Sequence, residues 1–219
     1  HGTVTFYSMD QEDPLLDAYR EAFPGTFRPL SEMPESLKDN LRYPEDLFNI
    51  QIDKYNRYHM TRPQVFYNQE DLWTRPQEQY AGNQVTMEPY YLLMELPNEQ
   101  ELQFLLMSPL TPQNRDNMIA WMAAKSDFPD YGELVVYTLP KERLIYGPDQ
   151  IEAMVDQDTE ISRQLSLWDQ RGSRVIRGNL LTIPIEQDFL FVEPVFLIAQ
   201  GAQIPQLQRV IVAYGDRVE

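Results

Sequence analysis

Tyr90-Tyr91-Leu92-Leu93-Met94-Glu95-Leu96-Pro97-Asn98-Glu99-Gln100-Glu101-Leu102-Gln103-Phe104-Leu105-Leu106-Met107 is the stretch that decides the fold class. Two apolar runs, Tyr90–Leu96 and Glu101–Met107, flank the polar insert Pro97-Asn98-Glu99-Gln100, which has the length of a hairpin connection. A hairpin pairs its strands antiparallel. Downstream, Leu134–Leu139, Arg174–Arg177, Asn179–Ile185, Phe189–Ile198 and Leu207–Tyr214 are further strand candidates, rich in β-branched and aromatic residues. Glu186-Gln187-Asp188 reads as the turn of a second hairpin. The expectation is an α+β fold of mostly antiparallel sheet with several helices and a β-rich C-terminal part, not a doubly wound parallel sheet.

Helical patterns lie mainly before the first hairpin. After a short strand at Val4–Ser8, Asp13 caps and Pro14 opens a helix with Leu15, Leu16, Tyr19, Ala22 and Phe23 on one face, ended by Pro24-Gly25. Ser31-Glu32-Met33-Pro34 starts another, through Leu37 to Leu41. Pro44 bends the chain near Tyr43, and Pro44-Glu45-Asp46 opens a helix whose stripe is Phe48, Ile52, Tyr55 and His59. A short helix near 64–72 leads into a long connection. Asn114–Lys125, with Met118, Ile119, Trp121 and Met122, reads as a helix. So does Gly147 to Trp168, with Ile151, Met154, Val155, Ile161 and Leu165 inward. The chain reads as one soluble α+β region over 2–219, subdivided near 76–89 into a helical part (13–75) and a mixed part (90–219).

Composition narrows the functions. The 219 residues carry 18 Lys+Arg against 34 Asp+Glu, a net charge of −16, which repels phosphate backbones; no nucleic-acid partner is expected. The acidity is concentrated, with nine acids against Arg115 and Lys125 over 76–140. With no cysteine there is no disulfide, thiolate nucleophile or zinc–thiolate site. No window approaches the ~18 apolar residues of a membrane helix. Prolines number 17 and glycines 9, and no glycine-rich phosphate loop occurs. The chain opens at His1-Gly2 without methionine or a signal-peptide pattern, so it reads as a piece of a longer protein.

Groups that could carry chemistry are few. His59 is the one usable histidine, at a helix end after Tyr55 and Tyr58; it reads as a packed or dipole-facing imidazole, with catalysis the alternative. Asp158 follows Ile151, Met154 and Val155 at helical spacing and so reads as inward-facing. It is then an ion pair with Arg163, Arg174 or Arg177, an edge residue, or a catalytic acid. Asp10, Glu12 and Asp13 place three carboxylates within four residues. They read as a helix cap with solvated neighbours or as a calcium site, the single cofactor the sequence suggests, although calcium takes roughly 6–8 oxygens. Aromatics gather at Tyr55, Tyr58, Phe66, Tyr67, Trp73, Tyr80, Tyr90 and Tyr91, a composition that suits peptide or glycan contact as well as packing.

A series of short motifs runs the length of the chain. Gly2–Asp10 is followed by Asp13-Pro14, Phe23-Pro24-Gly25 and Pro29–Pro34. The most specific block is Arg42-Tyr43-Pro44-Glu45-Asp46-Leu47-Phe48 with Gln51, Tyr58 and His59. Glu88–Tyr91, Ser126-Asp127, Tyr131-Gly132, Gly147-Pro148, Gln150-Ile151, Gly178–Pro184 and Val192–Val195 complete it. In this order they resemble an uncharacterised family of large bacterial multi-pass membrane proteins. Members look like an N-terminal block of membrane helices, odd in number, followed by a large soluble region. The resemblance implies that this chain is part of that region, that the parent sits in the plasma membrane, and that this part is extracytoplasmic. It supplies no activity and no catalytic residue. The leading expectation is a non-catalytic binding or interaction module, recognising the membrane-embedded part of the same protein or a peptide, glycan or protein ligand. Its expected surface is Arg42, Tyr43, Glu45 and Asp46 at the bend with Tyr58 and His59 at the helix end. The rival expectations are a carboxylate-dependent hydrolase acting on glycans and a structural or oligomerisation segment.

Overall fold

The computed structural model describes residues 2–10, 12–97, 99–140, 142–170, 172–185, 188–199, 201 and 204–219. Among them the chain forms two compact units, His1–Arg42 with Asp127–Pro129, and Tyr43–Ser126 with Asp130–Glu219. Residues 76–89 lie inside the second.

In the first unit, β1 (Phe6–Ser8) is followed by α1 (Pro14–Ala22) and β2 (Phe27–Pro29), which pairs with β1 in parallel, Phe6 opposite Phe27. The intervening helix returns the chain to the end from which β1 started, so the direction follows from the connection. A 3-10 turn (Leu30–Glu32) and the single turn α2 (Glu35–Lys38) complete the unit.

The second unit holds the remaining helices, α3 (Glu45–Tyr58), α4 (Pro63–Asn68), α5 (Pro148–Gln157) and α6 (Thr159–Trp168). Its first sheet has the order β3 (Trp73–Thr74), β7 (Leu102–Pro112), β8 (Ala120–Lys125), β9 (Leu134–Thr138), with β6 (Tyr90–Glu95) on the same edge of β7 as β3. The two-stranded ribbon β4 (Gln77–Tyr80) and β5 (Asn83–Thr86) stands apart. The second sheet runs β10 (Ser173–Arg177), β12 (Asp188–Ala199), β13 (Gln206–Tyr214), β14 (Arg217–Val218), with β11 (Leu181–Ile185) sharing an edge of β12 with β10. Every described pairing here is antiparallel, which makes the fold α+β as expected. The β6–β7 hairpin closes with Tyr90 opposite Met107 and Glu95 opposite Leu102.

Three expectations are corrected. The helix expected at Asn114–Lys125 is β8 with the loop before it. Its run Ala120-Trp121-Met122-Ala123-Ala124 is buried throughout because the sheet is covered on both faces. Trp121 and Ala123 join one core with Leu105, Met107, Ile151 and Phe191, while Ala120, Met122 and Ala124 join the other with Phe48, Ile52 and Leu106. A strand buried on both faces loses its alternation and cannot be told from a buried helix by period. The connection expected after α4 contains β3, β4 and β5. The helix expected from Gly147 to Trp168 is two helices, α5 and α6, broken at Asp158. Of the turn expected at Glu186-Gln187-Asp188, Glu186 and Gln187 lie outside the described residues and Asp188 opens β12.

Candidate functional site

Of the anticipated acids of the first unit, Asp10 and Asp13 serve the backbone, and Glu12 is exposed. Asp10 Oδ1 accepts from Glu12 N–H at 2.8 Å, and Asp13 Oδ1 caps α1 by accepting from Leu15 N–H (2.8 Å) and Leu16 N–H (3.3 Å). Among the described residues no group of three or more His, Asp or Glu is arranged to hold a metal ion. α1 itself turns its apolar stripe outward, with Leu15, Tyr19 and Phe23 all more than half exposed and the last two rings stacked at 6.3 Å. No apolar side chain described in this unit is buried.

Of the residues anticipated as one recognition surface, Tyr43 is buried and the others are spread along the chain. Arg42 is exposed at the end of the first unit. Tyr43 is a core residue: its N–H donates to Ser126 Oγ (3.2 Å), its hydroxyl to Gln51 Oε1 (2.9 Å), and its carbonyl accepts from Tyr91 OH (2.6 Å). Glu45 and Asp46 lie exposed in the first turn of α3, and Tyr58 and His59 at its far end. At 1.5 Å per residue the two pairs are about 20 Å apart. Tyr58 is exposed beside Phe66. His59 stacks on Trp73 at 3.8 Å between centroids. Its Nδ1 lies 3.0 Å from the Tyr55 carbonyl, which makes Nδ1 the protonated nitrogen, and Nε2 is 3.8 Å from Asp71 Oδ2 without a hydrogen bond. No hydroxyl nucleophile is bonded to this imidazole among the described residues.

Asp158 is neither inward-facing nor ion-paired among the described residues. It ends α5 and caps α6, its Oδ1 accepting from Glu160 N–H (3.0 Å) and Ile161 N–H (2.9 Å). The periodicity that placed it on an inner face holds only for an unbroken helix. Asp158→Ala is expected to cost about 1 kcal/mol by urea denaturation, the size of a lost cap, and Asp158→Ser to recover most of it. A loss of several kcal/mol would instead mark a broken ion pair.

The acids with strongly altered chemistry are others. Along β12, Phe189, Phe191, Glu193 and Val195 face inward in alternation. Arg177, opposite Val195 on β10, reaches Glu193 with a fork, Nε to Oε1 at 2.5 Å and Nη2 to Oε2 at 2.8 Å. Its Nη1 donates to Asp156 Oδ1 (2.7 Å), and Nη2 also to Glu152, both on α5. Gly178 lets the strands close, since its N–H bonds Pro194 O and a Cβ there would lie 2.9 Å from Pro194 Cγ. α5 also replaces a sheet partner for β4: Asp149 accepts from Gln77 N–H (3.1 Å) and Glu152 from Gln79 N–H (3.2 Å). Between them Glu78 turns the other way, to Leu180 N–H (2.7 Å) and Asn179 Nδ2 (3.0 Å).

Burial raises the pKa of Glu78 and, against the pull of Arg177, that of Glu193. Burial and then the neighbouring Glu193 charge push Glu152 up to about 8. Burial disfavours the Arg177 cation, but its hydrogen bonds to Glu193 and the surrounding acids outweigh it. Glu193 and Glu152 are 0% and 5% exposed, so solvent-borne substrates do not reach them. The cluster clamps three elements together. A second clamp is Lys125, 5% exposed, with Nζ at 3.0 Å from Glu133, 3.2 Å from Glu99 and 3.6 Å from Asp130.

The open chemistry is elsewhere. A concavity of about 340 Å³ lies between the C-terminal half of α3 and β3, lined among others by Asp53, Lys54, Asn56, Arg57, Trp73 and Gln113. Pairing of β3 with Thr111–Pro112 sets Trp73 against α3, 6.1 Å from the Tyr55 ring. Asn56 continues the buried stripe Phe48, Ile52 at i+4 and is 6% exposed, yet its Oδ1 has no hydrogen-bond partner. A neutral acceptor left this way costs about 1–3 kcal/mol. A second concavity of about 450 Å³, including Asp71, Asn114, Arg115 and Asn117, shares Leu72 and Gln113 with the first. Sequence reading missed this site. Its signal was an amide at i+4 from Ile52 in an otherwise apolar stripe.

Comparison with known proteins places the molecule. The chain is 61% identical over 220 residues to a UPF0182 protein of Salinibacter ruber, 56% over 218 to one of Desulforamulus reducens and 54% over 218 to one of a Sulfurovum species. Each match covers the whole chain but 23–24% of the relative, so the chain spans about a quarter of the length of these proteins. No solved structure matches it. Among the described residues no helix is long and apolar enough to cross a membrane. With residues 1–168 matching the family model as well, the chain belongs to the uncharacterised protein family UPF0182.

Proposed function

We propose that this chain is a non-catalytic interaction module of a larger, membrane-anchored polypeptide, and that the apolar face of α1 is seated on another part of that same polypeptide. The observation that carries this reading is the state of the first unit. Leu15, Tyr19 and Phe23 stand in water and no described apolar side chain of the unit is buried. About forty residues lie near the lower limit at which a core sustains a fold unaided. A contiguous apolar stripe of this kind marks an interface. Three quarters of the length of the relatives lies outside the chain, which supplies the occupant. The membrane anchor and an extracytoplasmic position rest on the motif resemblance.

A carboxylate hydrolase needs two acids facing a gap of roughly 5–10 Å that a substrate can enter. Of the acids with raised pKa, Glu152 and Glu193 are closed off and held by Arg177, Glu78 is buried against Leu180 N–H and Asn179, and Asp149 is engaged by Gln77 N–H and Gln84.

The test places a photoreactive benzoylphenylalanine in place of Tyr19, within the full-length polypeptide. The expected product is an intrachain cross-link to a segment outside these 219 residues. Cross-links between two copies would instead make α1 an oligomerisation surface, and cross-linking to nothing would remove the reading. Turnover of a glycan that a single Asp or Glu substitution abolishes would refute the non-catalytic part.

A further inference from the structure

We propose that the full-length polypeptide runs on past Glu219 as a strand, prolonging β14 along the open edge of β13 opposite Ile211, Val210 and Arg209. This surface lies in the second unit, goes beyond the interaction through α1 and uses none of its residues.

Three observations converge. First, among the described residues β13 is paired along one edge only for most of its length. β12 follows it from Gln206 to Tyr214, whereas β14 meets only Ala213 and Tyr214. Val212 and Glu219 then exchange both backbone bonds, N–H to O at 2.8 and 2.9 Å, so the antiparallel ladder is still running at Glu219. Second, the next rung has no described partner. Val210 stands opposite Pro194, which has no N–H and whose carbonyl accepts from Gly178 N–H on the β10 side. Val210 therefore draws no rung from β12. Its N–H and C=O face the same edge as those of Val212, two residues on, and no described strand pairs with them there. Leu207 and Val210 are 56% and 43% exposed, and Arg209 is the one charge from Gln206 to Val212. An apolar edge of this kind is a template for a further strand. Third, the inner face beside this edge lacks cover. A concavity of about 70 Å³ lies between α6 and the edge, lined among others by Ile161, Leu165, Trp168, Val210 and Glu219. Ile161, Leu165 and Trp168 pack on the core yet stay half-buried. Val218, opposite Ala213, also packs on this core. By alternation the first and third residues after Glu219 take the same face, opposite Ile211 and Arg209, and apolar side chains there fill the concavity. The occupant is the same polypeptide, since this chain covers 23% of a relative 61% identical to it.

The test uses the full-length polypeptide. Site-resolved amide hydrogen exchange is expected to show Val210 slowed on the order of 100-fold relative to an unstructured amide, as Val212 is. Proline in place of the second residue after Glu219 removes the N–H that would serve the Val210 carbonyl. It is expected to speed Val210 exchange roughly tenfold or more while Ile211, on the β12 side, keeps its rate. The 219 residues contain no cysteine, so a disulfide can be placed without competing thiols among them. Arg209→Cys with cysteine at the third residue after Glu219 is expected to close an intrachain disulfide under copper–phenanthroline oxidation, because a non-hydrogen-bonded pair brings its Cα atoms to about 4.5 Å. Cysteine at the fourth residue, facing the other side of the sheet, is expected not to close it. Equal closure at the third and fourth residues marks a flexible tail, a disulfide between two copies marks an oligomer edge, and Val210 protection that the proline leaves untouched marks a strand from elsewhere. Each of these overturns the proposal, as does an unprotected Val210 amide or a full-length polypeptide that ends at Glu219.

Discussion

Arg177→Met is expected to destabilise the second unit by about 3–5 kcal/mol, the cost of removing one partner from a buried ionic cluster. The guanidinium is the one cation within hydrogen-bond reach of Glu193, Glu152 and Asp156 among the described contacts, and Glu193 is fully buried. Without it, carboxylates in a low-dielectric interior must stay charged without a partner or take up protons. Arg177→Lys is expected to fall between the two, since an ammonium keeps the charge but cannot fork onto Glu193 while also serving Asp156. All three tryptophans, Trp73, Trp121 and Trp168, lie in the second unit, so urea denaturation followed by indole fluorescence reports on it alone. The loss is expected to shrink at pH 5, where proton uptake replaces the missing cation. A loss below 1 kcal/mol at neutral pH would show that protons, not Arg177, neutralise the acids.

How much of this was legible in the sequence depends on whether one element or several had to be known. The β6–β7 hairpin, α1 with its Asp13 cap and α3 with Phe48 and Ile52 inward are local patterns, and each appears where the residues put it. β8 was not legible because its partners cover both faces, and that covering comes from α3 on one side and from α5 and the second sheet on the other. Asp158 failed for the opposite reason: a purely local event, the helix break that its own capping side chain makes, resets the period.

The Arg177 cluster was half legible. Alternation in Phe189-Leu190-Phe191-Val192-Glu193-Pro194-Val195 marks Glu193 as a carboxylate on an apolar face, and Glu152 sits beside Ile151 on the buried side of α5. That both meet Arg177 depends on how α5 crosses the second sheet, which no local pattern encodes. The same holds for the concavity at Asn56, where the polar residue in the α3 stripe is visible but the opposing wall, Trp73, arrives through β-pairing with residues near 111.

The stability of the second unit is expected to fall as the pH rises from 5 to 8, with Glu152 the largest single contributor. Below its ordinary value of 4.5, Glu152 is protonated folded and unfolded, and contributes no slope. Between 4.5 and about 8 the folded chain holds a proton that the unfolded chain lacks, so unfolding releases it and rising pH favours the unfolded state. One such proton gives about 1.4 kcal/mol per pH unit across that window. Above it both states are ionised, and the folded state carries the full penalty of a buried charge beside Glu193. Glu78 and Glu193, raised by burial, act with the same sign. Glu152→Gln is neutral at every pH and keeps an acceptor for Gln79 N–H, so it isolates the Glu152 contribution. It is expected to match the parent near pH 5, to exceed it by several kcal/mol at pH 8, and to retain only the slope contributed by Glu78, Glu193 and Asp149, which burial also raises. Parallel stability curves for parent and variant over pH 5–8 would mean that Glu152 is ionised against Arg177 throughout, with the proton residing on Glu193 or Glu78.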